Sequence, residues 1–347
     1  MRILAFLLGS LLALVTFGAA VANPLGSVRS WLLLLNNDID EGMGLQIAAS
    51  DYDMVVIDAV STQKGMEPGR SRRNVKMFRT KPDGTRRLVI AYVNIGQAED
   101  YRKYWNDSWR TLTPEFILGD DPEGWAGNYP VAYWKPDWKQ LIAGPEGMLA
   151  TIQGWGFDGV YLDWIGGYED VNVLAAAKRD GVDAAAEMVK WVGEISAHAK
   201  ARNPAFLIVA QNAAGLLRSP IYTKAIDAVA HEDIWFTGAD GGPDGDCPVP
   251  RTIKDVGSPS FRQRLNRDCR RAYRRTQANA MHYAGYGEIV PRLLAAGAQG
   301  LPVFTVDYAL KANNVRHVML ESRALGFIPF AGSRKLDSFV YLQVPVK

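Results

Sequence analysis

The residues best placed to do chemistry are two carboxylates, each closing a short apolar run. Asp163 ends Gly156-Phe157-Asp158-Gly159-Val160-Tyr161-Leu162-Asp163, just before Trp164, and Glu232 ends the run from Ala228. A buried strand that ends in an acid delivers a reactive group to the mouth of an α/β barrel. Asp158 stands five residues before Asp163, about 16 Å along a strand and on the opposite face, so only one of the two belongs at the mouth. A carboxylate pair suits glycosidic hydrolysis. One group protonates the leaving oxygen while the other attacks the anomeric carbon or activates water, against an oxocarbenium-like transition state. Strands lie about 4.8 Å apart, so acids on next-but-one strands reach either the roughly 5–5.5 Å gap of retaining enzymes or the wider gap of inverting ones.

The elements that must position these acids are apolar runs bounded by polar turns: Trp31–Leu35, Met54–Asp58, Leu88–Asn94, Phe157–Asp163, Phe206–Gln211, Ala228–Glu232, Val303–Asp307 and Phe327–Phe330. Asp163 and Glu232 end the fourth and sixth. Helical stretches are predicted at Gly42–Ala49, Ala98–Tyr104, Pro145–Gly154, Asp183–Ala201, Ser219–Ala225, Phe261–Ala278, Glu288–Ala296 and Val315–Leu325. Eight strands alternating with helices favour a closed (β/α)8 TIM barrel over an open sheet. No GxGxxG follows the first strand, so dinucleotide binding lacks its signature.

Polar residues recur at the carboxyl ends of these strands: Asn36 with Asp38 and Asp40, Asp58, Asn94, Asp163, Gln211 with Asn212, Glu232 and Asp307. In a barrel they converge on one rim, which is where a site is built. Asp58 and Asp307 are expected to hydrogen-bond sugar hydroxyls or an amino group, and Tyr92 and Asn94 to face substrate. Asn212 is expected to orient a carboxylate or a hydroxyl. Aromatics crowd the connection between the third and fourth strands. Most would pack that loop, with Trp134 and Trp164 the first choices for stacking on a sugar face. Glu99 and Arg102 are expected to pair structurally on a helix. Acids outnumber bases at the rim in this reading, which favours a cationic amino sugar.

The chain has 347 residues and a formal net charge of +2, so no broad basic field argues for nucleic acid. The Arg-rich stretch from Arg262 to Arg275 reads as a solvated helix face. Arg2, the apolar run Ile3–Val15 and Ala20-Val21-Ala22 form a signal-peptide pattern. The run is shorter than the roughly 20 residues of a membrane span. The expectation is a signal peptide over residues 1–22, a single barrel domain over 23–347, a secreted or periplasmic location and no stable membrane insertion. Cys247 and Cys269 are the only cysteines, and in an oxidising compartment they would pair. The four histidines are scattered, and no Cys/His spacing supports a metal.

Several segments carry a family resemblance: Ala91–Arg102, Gly156–Trp164, Gln211-Asn212, Ala230-His231-Glu232-Asp233 and Phe304-Thr305-Val306-Asp307-Tyr308. In order along most of the chain, they resemble glycoside hydrolase family 114, the endo-α-1,4-polygalactosaminidase family. The likeness is to its branch of bacterial and archaeal glycosidases once labelled cysteinyl-tRNA synthetase-related. The resemblance implies a (β/α)8 barrel, an extracellular glycosidase without cofactor, and a carbohydrate substrate. It also implies a catalytic Asp and Glu on the fourth and sixth strands, carried here by Asp163 and Glu232, the first as nucleophile and the second as general acid/base. One position departs: many members carry another Asp three residues past the strand-four acid, where this sequence has Gly166. A non-catalytic carbohydrate-binding or scaffold barrel is the alternative, since fold alone proves no activity.

Overall fold

A computed structural model describes residues 23–35, 39–122, 124–238, 244–276 and 285–339. The predicted signal segment, and Asn36 and Asp38 at the first strand end, lie outside the described residues. Eight parallel strands are hydrogen-bonded in chain order. They are β1 (Trp31–Leu34), β2 (Met54–Asp58), β3 (Leu88–Asn94), β4 (Gly159–Asp163), β5 (Leu207–Gln211), β6 (Ala228–Glu232), β7 (Val303–Tyr308) and β8 (Ile328–Gly332). The first and last strands lie side by side, and the Trp31 indole N–H donates to the Ile328 carbonyl at 3.0 Å. The result is a nearly closed (β/α)8 TIM barrel. The strands were readable as near-continuous apolar runs because helices and barrel interior bury both faces.

Side chains alternate in and out along each strand. The inward set forms a ring-filled plug, with Trp31 against Phe304, Phe330 and Tyr161 at centroid distances of 5.3, 5.8 and 6.2 Å. Further along, in steps of two residues, the same faces carry Tyr92, Asp163, Gln211, Glu232 and Tyr308 to the carboxyl rim. Asp158 lies at the opposite end, where it pairs with Arg86 and accepts from the Val89 N–H at 2.9 Å.

The outer layer comprises α1 (Glu41–Ala48), α2 (Arg70–Phe78), α3 (Pro136–Ala143), α4 (Met148–Trp155), α5 (Val171–Asp180), α6 (Ala184–Arg202), α7 (Pro220–Ala225), α8 (Pro259–Arg264), α9 (Arg267–Thr276), α10 (Tyr286–Ala298) and α11 (Ala312–Ala324). Local chemistry starts and stops them. Asp183 caps α6 by accepting from the Ala186 N–H at 2.8 Å, and Ser219 with Pro220 opens α7. Gly156, at φ 89°, ends α4 in the left-handed conformation that a glycine adopts without a Cβ clash. Asp40 is the cap of α1 and serves that helix rather than the rim.

Three helical expectations need correction. Ala98–Tyr104 is not a helix: Gln97–Glu99 pairs antiparallel with Asn128–Pro130, and the chain then turns. Pro145 precedes α4 instead of starting it. The Phe261 helix breaks into α8 and α9 around Leu265. Helices α2, α3 and α5 were not expected; α2 buries Ser71 and Asn74 beside Val75 and Phe78, so its inward stripe is not apolar. Near α9, Cys247 and Cys269 are joined in a disulfide inside a small separate core. No helix among the described residues is long and apolar enough to cross a membrane.

The turn after Glu99 holds a buried ion triad. Arg102 contacts Glu99 at 2.7 Å and Asp58 at 2.6 and 3.1 Å, and all three side chains are almost wholly excluded from solvent. Burial works against the Arg102 charge, but Asp58 and Glu99 outweigh it and raise its pKa. Replacing Arg102 with Ala strands two buried carboxylates. We expect a loss of about 3–5 kcal/mol in urea denaturation, and a loss below about 1 kcal/mol would contradict the burial of the triad.

Candidate active site

The carboxyl rim opens into a cavity of about 960 Å³. Asp163 and Glu232 both line it, with Tyr161 and Gln211 on its floor. Strand β5 separates the two acid-bearing strands, so the pair sits across one intervening strand. Glu232 is held from both neighbouring strands, and Asp163 from one. The Tyr92 hydroxyl donates to Asp163 Oδ2 at 2.7 Å. Asn212 Nδ2 donates to Glu232 Oε1 at 2.6 Å, and the Tyr308 hydroxyl donates to Glu232 Oε2. The Glu232 N–H returns a bond to Asn212 Oδ1 at 3.1 Å.

Burial pushes the Asp163 carboxyl up to about 6, and the charge of Glu232 pushes the same way. The Tyr92 hydroxyl and the Trp164 N–H stabilise the anion and oppose the shift. Burial, followed by the neighbouring carboxylates, raises Tyr92 and Tyr308 well above the usual phenol range, so both stay protonated donors. Burial lowers the His231 pKa. Its Nδ1 lies 2.7 Å from the Glu232 carbonyl, which can only accept, so Nδ1 carries the proton.

The backbone bends sharply just past the chemistry. Trp164, Asn212, Ala213 and Asp233 all have φ between 55° and 60°, left-handed conformations that cost each non-glycine residue about 1–2 kcal/mol. They follow the ends of β4, β5 and β6 directly. Trp164 is seated by two glycines: a Cβ on Gly96 would fall 2.8 Å from its ring, and one on Gly167 would fall 2.2 Å from it. Gly166 lines the cavity with open space where a side chain would stand.

The remaining expected site residues divide. Tyr92, Trp164 and Asn212 line the cavity. Asp58 borders it, but both its oxygens are engaged by Arg102 and Gln63. Asn94, Trp134 and Asp307 are not among its lining residues. Asn94 is buried and shapes the turn by accepting from the Gly96 and Gln97 N–H groups at 3.2 and 2.8 Å. The Trp134 indole donates to Asp180 at 2.9 Å. Asp307 is one position out of phase with Tyr308 and faces away from the mouth. Its Oδ1 accepts from the Trp235 and Phe236 N–H groups at 2.6 and 2.9 Å, anchoring the loop that follows Glu232. Burial raises Asp307 to about 8, so it is protonated at neutral pH.

Gln211 lines the cavity as expected of a rim residue, and Tyr308, Tyr161, His231 and Asp233 join the site without having been given a role. Two-residue alternation back from Asp163 would have found Tyr161, and the inward phase of Phe304 and Val306 would have found Tyr308. Bases not placed at the rim from the sequence are present: Arg292, Arg334 and Lys335 line the cavity, and Arg334 lies 4.9 Å above the Trp125 ring. Acids still prevail, with Asp163, Glu169, Glu232, Asp233 and Glu288 on the lining besides the neutralised Asp58.

Comparison with known proteins adds independent findings. The sequence profile of Glycoside-hydrolase family GH114 matches residues 24–344. An uncharacterised protein of Deinococcus radiodurans is 34% identical over 297 residues, covering 86% of this chain and 78% of that protein. One from Methanocaldococcus jannaschii is 36% identical over 211 residues, covering 60% of this chain and 56% of that protein. Among solved structures, the glycoside hydrolase domain of PelA from Pseudomonas aeruginosa superposes with a TM-score of 0.56 at 15% identity, covering 90% of this chain and 97% of that one. Aspergillus fumigatus Ega3 in complex with galactosamine gives 0.54 at 16% identity, covering 93% and 97%. At these identities the two structures bear on the fold alone.

An Asp whose folded pKa is raised from 3.8 to about 6 binds its proton more tightly in the native state. Its burial therefore lowers stability as pH rises through that window, by up to about 3 kcal/mol once both states are ionised. Asp163→Asn should raise unfolding free energy at pH 7 by up to that amount, with the gain fading below about pH 4. Urea denaturation across pH measures it; a variant less stable than wild type at pH 7 would contradict the strain assigned to this carboxylate.

Proposed function

This chain belongs to glycoside-hydrolase family GH114 and is a glycoside hydrolase; from that premise we propose that it is exported and cleaves an α-linked, amino-sugar-containing polysaccharide through Asp163 and Glu232. The observation that carries this reading is the pair of carboxylates in the cavity, each hydrogen-bonded by a tyrosyl hydroxyl, with Asp163 raised to about 6. Asp163 is ionised at neutral pH and attacks the anomeric carbon. Glu232 protonates the departing oxygen, and the glycosyl-enzyme is then hydrolysed by a water that Glu232 deprotonates. Tyr92 steadies the Asp163 charge, and Asn212 with Tyr308 fixes the rotamer of Glu232.

An amino sugar is favoured because the lining carries more acids than bases, and a cationic ring gains from that field. The related Ega3 structure holds galactosamine. Trp164 and the half-open Trp125 offer ring faces to a sugar. Export rests on the signal-peptide pattern of residues 1–22, and a Cys247–Cys269 disulfide suits an oxidising compartment.

The raised pKa of Asp163 also suits the reverse division, with Asp163 as proton donor. The pH profile separates the two. With Asp163 as nucleophile, kcat/KM falls tenfold per pH unit below about pH 6. Tyr92→Phe moves that acid limb upward, because the donor that stabilises the anion is gone. An alkaline limb near pH 6 that shifts in Tyr92→Phe would instead make Asp163 the acid.

For the substrate, purified protein is incubated with partly deacetylated galactosaminan and with neutral glycans of matched length. New reducing ends are expected from the first and few from the second. Equal release from both, or release from neutral glycans alone, would overturn the amino-sugar assignment.

A further inference from the structure

A second groove, about 520 Å³ in volume, lies between α7 and α10 and adjoins the catalytic cavity; Ala214 and Arg292 line both. Its floor is apolar, formed by Ala214, Leu217, Pro220 and Ala295. Two cations stand over that floor, Arg218 just before α7 and Arg292 on α10. Neither guanidinium forms an ion pair or a hydrogen bond among the described residues. That sets them apart from Arg102, Arg87 and Arg79, whose donors are spent on carboxylates or carbonyls. Glu288 stands one turn before Arg292 and does not pair with it.

We propose that this groove is an anionic-sugar subsite, binding a carboxylated or sulfated unit that adjoins the unit held at Asp163 and Glu232. The chemistry is bidentate: a planar guanidinium presents paired N–H donors that match a carboxylate or sulfate, and a pyranose C–H face rests on the apolar floor. The volume lies within the range of small-molecule sites. A chain leaving the acidic cavity passes Arg292, so the boundary between the two grooves is also a reversal of charge. The preferred polymer then carries opposite charges on neighbouring units, ammonium over the carboxylates and an anion over the arginines. The identity of the ligand as a sugar rests on the hydrolytic reading above; the groove and its two arginines do not.

Isothermal titration of the intact protein tests it, using trigalacturonate, neutral galactotriose, a sulfated galactotriose and inorganic sulfate as probes. Trigalacturonate or the sulfated trisaccharide should bind roughly tenfold or more tightly than the neutral one, with inorganic sulfate far weaker. The better of the two identifies the anion. Arg218→Gln and Arg292→Gln should each weaken that binding roughly tenfold, and Glu232→Gln, which removes a repelling carboxylate from the adjoining cavity, should not weaken it. Arg218 is exposed, so its replacement does not threaten the fold. Equal binding of charged and neutral trisaccharides, or insensitivity to both arginine replacements, would overturn the proposal. So would a loss of equal size in Glu232→Gln, which would place the ligand in the catalytic cavity. Arginine-dependent binding without release of reducing ends from galactosaminan would refute the galactosaminan assignment and leave this one standing.

Discussion

The structure turns on one electrostatic tension: the Asp163 carboxyl is withdrawn from bulk water and placed within the field of Glu232. Such a group would take up a proton and stay neutral unless donors were aimed at it. Tyr92 and the Trp164 N–H supply that aim, leaving a carboxyl poised near 6 where a free aspartate titrates near 3.8. Two other strand-end carboxyls are taken out of that field. Asp58 is neutralised by Arg102, and Asp307 is buried deeply enough to be protonated at neutral pH. Asp163 and Glu232 are left as acids whose charges matter to each other.

Holding that arrangement requires a stiff frame. The ring cluster of Trp31, Tyr161, Phe304 and Phe330 fills the barrel beneath the acids, so the strand ends cannot collapse inward. Above it, four left-handed non-glycine residues turn the chain away as soon as the carboxylates and their partners have been delivered. Strained backbone of this kind persists where surrounding packing over-determines it, and it gathers at functional sites. The Asp307 anchor at the loop after Glu232 shows one such fixing contact, made by a carboxyl that never reaches the cavity.

Much of this was legible in the sequence, for physical reasons. Buried parallel strands are written as apolar runs, so all eight barrel strands could be placed, and the acids at the ends of the fourth and sixth could be paired. What escaped was whatever depended on phase or on partners far along the chain. Asp307 and Tyr308 are adjacent, and only the inward phase set by Phe304 and Val306 tells which one faces the mouth. Asp58 looked like a ligand because its counter-ion, Arg102, is 44 residues away. The Ala98–Tyr104 stretch has a helix-like composition, but its polar groups are spent in an antiparallel ladder and a buried triad. Helix α2 was hidden by the polar residues on its inner face, and Arg292 by the distance in sequence between α10 and the acids it faces.

The proposed mechanism stands or falls on Asp163 and Glu232 acting as one catalytic unit. The most direct measurement is release of reducing ends from partly deacetylated galactosaminan by Asp163→Asn, Glu232→Gln and the double variant, each at matched folded concentration. Either single replacement should lower kcat by roughly a thousandfold, and the double variant should be little worse than either alone, as expected for groups that work together. Wild-type-like turnover in either single variant would contradict it.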